Sequence, residues 1–374
     1  EKYVYGSKVQ LSSSSFNGWS FCGWSGDCVA NNNLITLTIL KDTNILATFT
    51  QNGYNVQFNV NPVGGGTISV NTSPPYELND VITKYNEGAK AAQTDVGASI
   101  AAFEDAILLA DKVGEPAADL KQKAMKVLPG LYVKLASKAL SEKKPATEVI
   151  KAARNASAAA EKYGSTTSKE NAGKLLVQGY YVMGTEYFTK KEYDNALLAF
   201  DTLLQINPDY AAAIYNKALV YRTQNNSAAF EETIDSYLGK LEAGKDDERK
   251  KQASGLALEY FRAAGSQANQ ANNLDEALGL LNKAAKYGED KDLFYFFADV
   301  YNKQKNFSSG AEYAQKGLDL ETGEAEAKAK YYFQLGLALS GKGQTAEACE
   351  AFKNAQFGAF TEASKAERKK LKCQ

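Results

Sequence analysis

The sequence predicts a mainly α-helical chain fronted by a small all-β segment, and three observations carry that reading. The composition changes near residue 80, from Asn, Thr, Ser, Gly and Val with few charges to Ala, Lys, Glu and Leu. Beyond that point apolar residues recur every three or four positions over long runs, the period of a helix with one buried face. Before it they alternate, the period of a half-buried strand. The expected domains are residues 1–79, all β, and residues 80–374, a helical solenoid closed by a C-terminal capping helix.

In the first segment the alternating runs are Ile35, Leu37, Ile39, then Val56, Phe58, Val60, then Ile68, Val70. Clusters such as Asn31-Asn32-Asn33 and Gly64-Gly65-Gly66 separate them as turns. Pro74-Pro75 ends the last run without opening a helix. Trp24 is expected in the core of a small sheet, Ser25-Gly26-Asp27 in a tight turn, and Trp19 in packing rather than in a surface contact. Three stretches in order, Tyr5 through Leu11, Phe21 through Asp27 and Ile35 through Phe49, resemble the divergent internalin B-type repeat of bacterial surface proteins. Residues 53–77 resemble the beginning of such a repeat and residues 2–52 its end. A window on a tandem array, a circularly permuted unit and a join of two sequences each give this order.

The helical segment opens with Tyr85 and Gly88, followed by Ser99, Phe103 and Ala106, which read as the two helices of a first pair. Tyr132 to Ala160 reads as an Ala-rich second pair. The clearest unit then has Gly184, Ala196, Phe200, Leu203 and Pro208, with Tyr180, Tyr187 and Tyr193 as its aromatics. Later units have Gly265, Ala277, Leu281 and Ala284, and Gly336, Gly343, Ala348, Phe352 and Ala355. Weaker ones place Ala218 with Tyr221 and Ile234, and Ala298 with Tyr301, Phe307 and Ala314. This order resembles the tetratricopeptide repeat, which wants small residues at positions 8, 20 and 27 and a large apolar one at 24. Position 8 then falls at 184, 218, 265, 298 and 336, in steps of 34, 47, 33 and 38 residues. The loop around Ala243-Gly244-Lys245-Asp246-Asp247 is expected to absorb the largest excess. The resemblance implies an α-α superhelix, a right-handed solenoid of roughly seven helix pairs. Lys365 to Cys373 reads as the polar cap that a terminal repeat needs. The Ala/Lys/Glu-rich, Tyr-rich style also resembles exported tetratricopeptide proteins of Bacteroidota.

Composition narrows the function. Lys plus Arg number 43 and Asp plus Glu 44, so no strong field gathers nucleic acid or anionic lipid. Histidine is absent, which removes Ser-His-Asp and Cys-His nucleophiles, His-based zinc catalysis and the usual near-neutral proton shuttle. No apolar run reaches the roughly 20 residues of a membrane helix. The cysteines, Cys22, Cys28, Cys349 and Cys373, fit no zinc spacing and are expected as two local disulfides in an oxidising compartment. Cys22 and Cys28 would be joined by a turn through Gly23 and Gly26, and Cys349 and Cys373 by the final helix folding back. Opening at Glu1, with Met125 and Met183 its only methionines, the chain reads as a processed product from which any signal peptide has gone.

The expected function is therefore binding, without catalytic residues, metal or cofactor. In the resembled repeat, positions 2, 5, 9 and 12 of the first helix line the inner groove. Those positions hold Tyr181, Tyr215, Arg262, Tyr295 and Phe333 (position 5) and Arg222, Asn269 and Asn302 (position 12). Aromatic and arginine side chains there suit an extended peptide or a helix, although the tyrosines equally suit packing between repeats. Position 9 holds Thr185, Leu219, Ser266, Asp299 and Leu337, not the asparagine of the family's carboxylate clamp, which argues against chaperone tails as ligands. The expected protein is a scaffold of the bacterial envelope or extracellular space that binds partner proteins or peptides. The alternatives are a self-assembling adhesin or structural component, and a glycan-handling accessory protein.

Overall fold

The computed structural model describes residues 7–14, 20–26, 28–38, 45–50, 57–61 and 76–374; the side chains of 14, 20, 22, 49, 50 and 57–61 lie outside that description. Chain contacts divide it into two compact units, Glu1–Met183 and Gly184–Gln374.

The first unit begins with five strands, β1 (Lys8–Ser14), β2 (Ser20–Gly26), β3 (Leu34–Thr38), β4 (Ile45–Thr50) and β5 (Gln57–Asn61). They form two antiparallel sheets, one ordered β3-β1-β5 and one pairing β2 with β4. Val9, Leu11, Trp24 and Ile45 make the buried centre, flanked by Phe21, Ile35, Leu37 and Ala47. Trp24 is buried as expected, and its indole N–H donates to the carbonyl of Asn32 at 2.9 Å, which satisfies its one donor. β5 comes from the stretch resembling the start of the repeat and pairs with β1 from the stretch resembling its end, Gln10 opposite Asn61 and Ser12 opposite Asn59. The expected strand at Ile68 and Val70, and Trp19, lie outside the described residues.

One expectation fails here. Cys28 is a free, half-buried thiol, so the bridge to Cys22 is absent. The reason is the path of the backbone. Cys22 through Gly26 run extended within β2, and the chain reverses only afterwards, with Trp24 and Ala30 exchanging hydrogen bonds of 2.7 and 3.3 Å. That pairing sets Cys28 against Gly26, four residues along the strand from Cys22.

The helices of this unit are α1 (Leu78–Ala91), α2 (Val96–Val113), α3 (Ala118–Ser141), α4 (Ala146–Lys162) and most of α5 (Thr166–Thr189). α1 and α2 cross at Gly88, where an added Cβ would stand 2.9 Å from the Phe103 ring. Ser99 Oγ donates to the Gly88 carbonyl at 2.7 Å, and Tyr85 meets Phe103 edge-on. The Ala-rich pair is α3 and α4, packed through Ala136 and Ala153 with Leu175 of α5.

The second unit continues with α6 (Tyr193–Ile206), α7 (Ala211–Thr223), α8 (Ser227–Lys240), α9 (Asp247–Gln270) and α10 (Leu274–Tyr287). Then come α11 (Lys291–Lys303), α12 (Phe307–Leu320), α13 (Ala325–Gly341), α14 (Thr345–Asn354) and α15 (Thr361–Lys370). Among the described residues this makes seven helix pairs and a final short helix. Gly184 lies against Phe200, Gly265 against Leu281 and Gly336 against Phe352, each sixteen residues apart; the added Cβ would stand 2.5, 2.8 and 2.7 Å from those side chains. Only a residue without a side chain lets the two helices approach so closely around the large one. The crossings of Ala218 with Ile234 and of Ala298 with Ala314 are likewise fully buried.

The turn inside each of the five pairs from α5 to α14 repeats independently of those crossings. Lys191, Asn225, Asn272, Lys305 and Gly343 all adopt positive φ between 55° and 77°. Each stands seven residues after position 8 and two before the next helix. The following residue has nearly the same dihedrals in every case, as at Asn273, Asn306 and Gln344, with φ −85° and ψ 71°. The 47-residue step is a correction: its excess sits mainly in α9, which has 24 residues where α7 and α11 have 13. The loop before it adds little.

The last pair is closed covalently. Cys349 of α14 is bonded to Cys373, just past α15, with Cα atoms 5.6 Å apart. The Arg368 guanidinium also donates to the Cys349 carbonyl at 2.6 Å. The capping helix thus folds back onto the final repeat.

Candidate functional site

The first helices of the pairs carry the candidate groove residues. Tyr181 sits half-buried on α5, in the first unit. In the second unit Tyr215 of α7 is half-buried, its ring 4.9 Å from Tyr237 of α8. Arg222, in the last turn of α7, lies 3.9 Å from the carboxylate of Glu259 on α9, a loose pair at the surface. Arg262 of α9 pairs closely with Asp290, the residue that caps α11 by accepting from the Leu293 N–H at 2.7 Å. Helix position and arginine geometry are therefore coupled at that joint.

Two of the eight residues point inward. Asn269, 4% exposed, donates to Asp299 at 2.6 Å and accepts from Lys303 at 2.8 Å. Asn302, 9% exposed, donates to both the backbone and side-chain oxygens of Gln334 at 2.9 Å. Gln334 in turn donates to Asp299 at 3.0 Å, and Lys303 approaches the other Asp299 oxygen at 3.0 Å. The Asp299 carboxylate thus collects donors from α9, α11 and α13 and joins three successive first helices. Charge-assisted bonds of this kind are about twice as strong as neutral ones. This ladder was not foreseen, because helical spacing gives the face a residue occupies but not its depth between neighbours. The available signal was polar: Asp299 and Lys303 stand four apart on the same stripe as Asn302 and Tyr295.

The remaining residues keep an open side. Tyr295 is half-buried with Lys330 Nζ 5.4 Å above its ring and Tyr331 edge-on at 6.1 Å. Burial, and then the nearby Asp299 charge, push its phenol above the ordinary range, so it is a neutral donor at all physiological pH. Phe333 of α13 packs at 5.7 Å from Phe352 and 5.4 Å from Phe360, leaving its ring partly exposed. Tyr215, Arg222, Tyr295 and Phe333 therefore offer aromatic faces and one guanidinium from α7, α11 and α13. Among the described residues no group of three or more Cys, Asp or Glu side chains converges as metal ligands would.

Comparison with known families agrees with this geometry. Residues 1–53 match the divergent InlB B-repeat domain, and residues 177–210 and 329–356 match the tetratricopeptide repeat. Both latter matches begin seven residues before Gly184 and Gly336, the register set by the crossings. The chain thus carries tetratricopeptide repeats behind an internalin B-type repeat. No curated protein matches it. Among solved structures it is similar to a tetratricopeptide repeat protein from Parabacteroides merdae, 18% identical over 78% of this chain and 100% of that one, with a TM-score of 0.27. It is also similar to the MamA protein, at 19% identity over 53% and 96% of the two chains, with a TM-score of 0.31. A third is YrrB, described as a tetratricopeptide protein with an unusual peptide-binding site, at 16% identity over 51% and 91%, with a TM-score of 0.31.

Proposed function

We propose that this chain is a non-enzymatic protein-interaction scaffold of the bacterial cell envelope or extracellular space. In this reading residues 1–79 form a surface module and residues 80–374 the binding solenoid. Partner proteins or peptides lie along the first helices and are held by Tyr215, Arg222, Tyr295 and Phe333. The observation that carries the reading is that these large side chains stay partly exposed while the polar residues between them, Asn269, Asn302 and Asp299, bond from one repeat to the next. The interior ladder fixes helix spacing, and the aromatic faces supply contact area at low entropic cost. The Cys349–Cys373 bond and the match to a surface-protein repeat favour an exported setting. The near-zero net charge argues against a nucleic-acid partner.

The test is retention of partners from native envelope extract by the wild-type chain, by a Tyr215→Ala/Arg222→Ala variant, and by Glu232→Ala on α8 as control. Discrete proteins kept by wild type and control, and lost by the double variant, support the scaffold. Retention of only the chain itself points to self-assembly, retention of polysaccharide to glycan handling, and equal retention by all three removes the named contacts.

A further inference from the structure

Charge balances over the whole chain but not at its last helix. From Thr361 to Lys372 there are five bases, Lys365, Arg368, Lys369, Lys370 and Lys372, against two acids, Glu362 and Glu367. Ser364 is the buried residue of α15. The inner side of the helix is held by three links: the Cys349–Cys373 bond, Arg368 donating to the Cys349 carbonyl at 2.6 Å, and Ser364 Oγ donating to the Ala355 carbonyl at 3.4 Å. Those links fix which way the other side faces. Lys365 and Lys369 stand one turn apart there, Lys370 beside them and Lys372 just past the helix end, and all four are exposed.

The helix dipole accounts for only part of this excess. A helix C-terminus favours a cation in its last turn, and Arg368 already serves there, its guanidinium on the carbonyls of Cys349 and Gln374. Lys365 and Lys370 pair with Glu362 and Glu367 at 2.8 and 3.2 Å, at the surface, where such pairs are weak. Among the described residues those are the ion pairs of the segment, and Lys369 and Lys372 take part in neither.

The chemistry of the cations selects the partner. Arginine sets a bidentate geometry toward one placed anion, whereas lysine is a hydrated point charge, and the one arginine here is turned inward. Four ammonium groups on a fixed backbone therefore suit a diffuse anionic surface. Phe357, in the connector that leads into the helix, keeps 43% of its surface exposed, a ring that the headgroup region of a bilayer takes up. We infer that the last helix is a membrane contact: α15 and its connector lie on a bilayer of anionic phospholipid, with Lys365, Lys369, Lys370 and Lys372 among the headgroups. This inference goes beyond the scaffold reading and does not depend on it. The surface is distinct from the face bearing Tyr215 and Tyr295, and loss of binding at either leaves the other intact.

The test is co-sedimentation of the full, unreduced chain with sucrose-loaded vesicles at low salt. One set is phosphatidylcholine alone, the other three parts phosphatidylcholine to one of phosphatidylglycerol. Binding is expected to the anionic vesicles and not to phosphatidylcholine, and to fall as added salt shortens the reach of surface charge. Lys369→Gln/Lys372→Gln is expected to weaken it about thirtyfold, since each lysine at an anionic surface contributes about fivefold, with an unchanged melting temperature. Lys174→Gln/Lys251→Gln, which removes two exposed lysines of α5 and α9, is expected to leave it unchanged. Equal binding to both vesicles, no binding to either, full affinity in the first variant or an equal loss in the second would each overturn the assignment. So would a short DNA duplex that binds as tightly at the same salt and is lost in the first variant, which would make the lysines a nucleic-acid contact.

Discussion

At the scale of single residues the repeat depends on what is missing. Gly184 and Gly336 are spaced as small residues must be for two helices to close around Phe200 and Phe352, and the structure places those rings against them. Gly184→Val or Gly336→Val is expected to cost about 3 kcal/mol through overpacking, read by chemical denaturation. Gly255, on the exposed side of α9 with nothing within 4 Å of an added Cβ, gives the opposite sign: Gly255→Ala is expected to gain up to about 1 kcal/mol in helix propensity. Equal effects at the three sites would contradict the assigned crossings. Helical spacing does not give the depth of polar side chains, so Asn269 and Asn302, expected in the groove, instead lie buried and bonded between repeats. Tyr331 is a related case, fully buried, its hydroxyl without a partner among the described residues. Tyr331→Phe is expected to stabilise the protein by about 1 kcal/mol at neutral pH by removing that unbonded group. Burial first, and then the charges of Asp292, Glu321 and Asp290, raise its phenol above the ordinary value of 10.0. The folded chain therefore keeps a proton that the unfolded chain releases, so stability is intact below about pH 10 and falls above it. Melting curves at pH 9 and 11 are expected to show a smaller loss in Tyr331→Phe than in the wild type. An equal loss would show that this phenol titrates alike in both states.

At the scale of elements, turns and caps decided what the sequence could convey. The turn inside the five pairs from α5 to α14 recurs because one residue at positive φ, seven after the crossing, starts the second helix in a fixed direction. Four of those five residues are lysine or asparagine and carry no glycine signal, Asn225 and Asn272 being residues that tolerate this region. The length of α9 was missed because its added first turns, through Arg249 and Lys250, carry the charged pattern of a loop. The Cys22–Cys28 bridge was misread for the converse reason: Gly23 looks like a turn residue yet lies within β2, paired opposite Thr48. The other cysteine pair obeyed the simpler rule that a polar last helix must fold back on the repeat before it. Reducing the Cys349–Cys373 bond is expected to remove about 3 kcal/mol of cross-link stabilisation. Hydrogen exchange should then quicken first in α15. Unchanged protection of α15 with a reduced bond would show that its noncovalent docking suffices.

At the scale of the whole molecule, the change of secondary structure near residue 80 and the contact division at residues 183 and 184 mark different things. The first separates the two small sheets from the helices, and the second falls inside α5, within a repeat array where each pair depends on its neighbours. A chain of residues 78–374 alone is expected to keep the helical circular dichroism and melting temperature of the full protein. A drop of more than about 5 °C, the scale of roughly 1 kcal/mol in a domain, would show that the β segment contributes to the helical fold. The class of fold followed from periodicity, while the depth of the polar residues between repeats did not. The central claim is that partners lie along the first helices, and site-specific photo-crosslinking tests it most directly. A photoreactive phenylalanine analogue at Tyr215, Tyr295 or Phe333 is expected to capture the same discrete partner in native envelope extract, with Arg222→Ala weakening the yield. The same analogue at Glu232 of α8 or Glu312 of α12 should capture none of it. Equal capture at all five positions, or capture only at the second helices, would contradict the account.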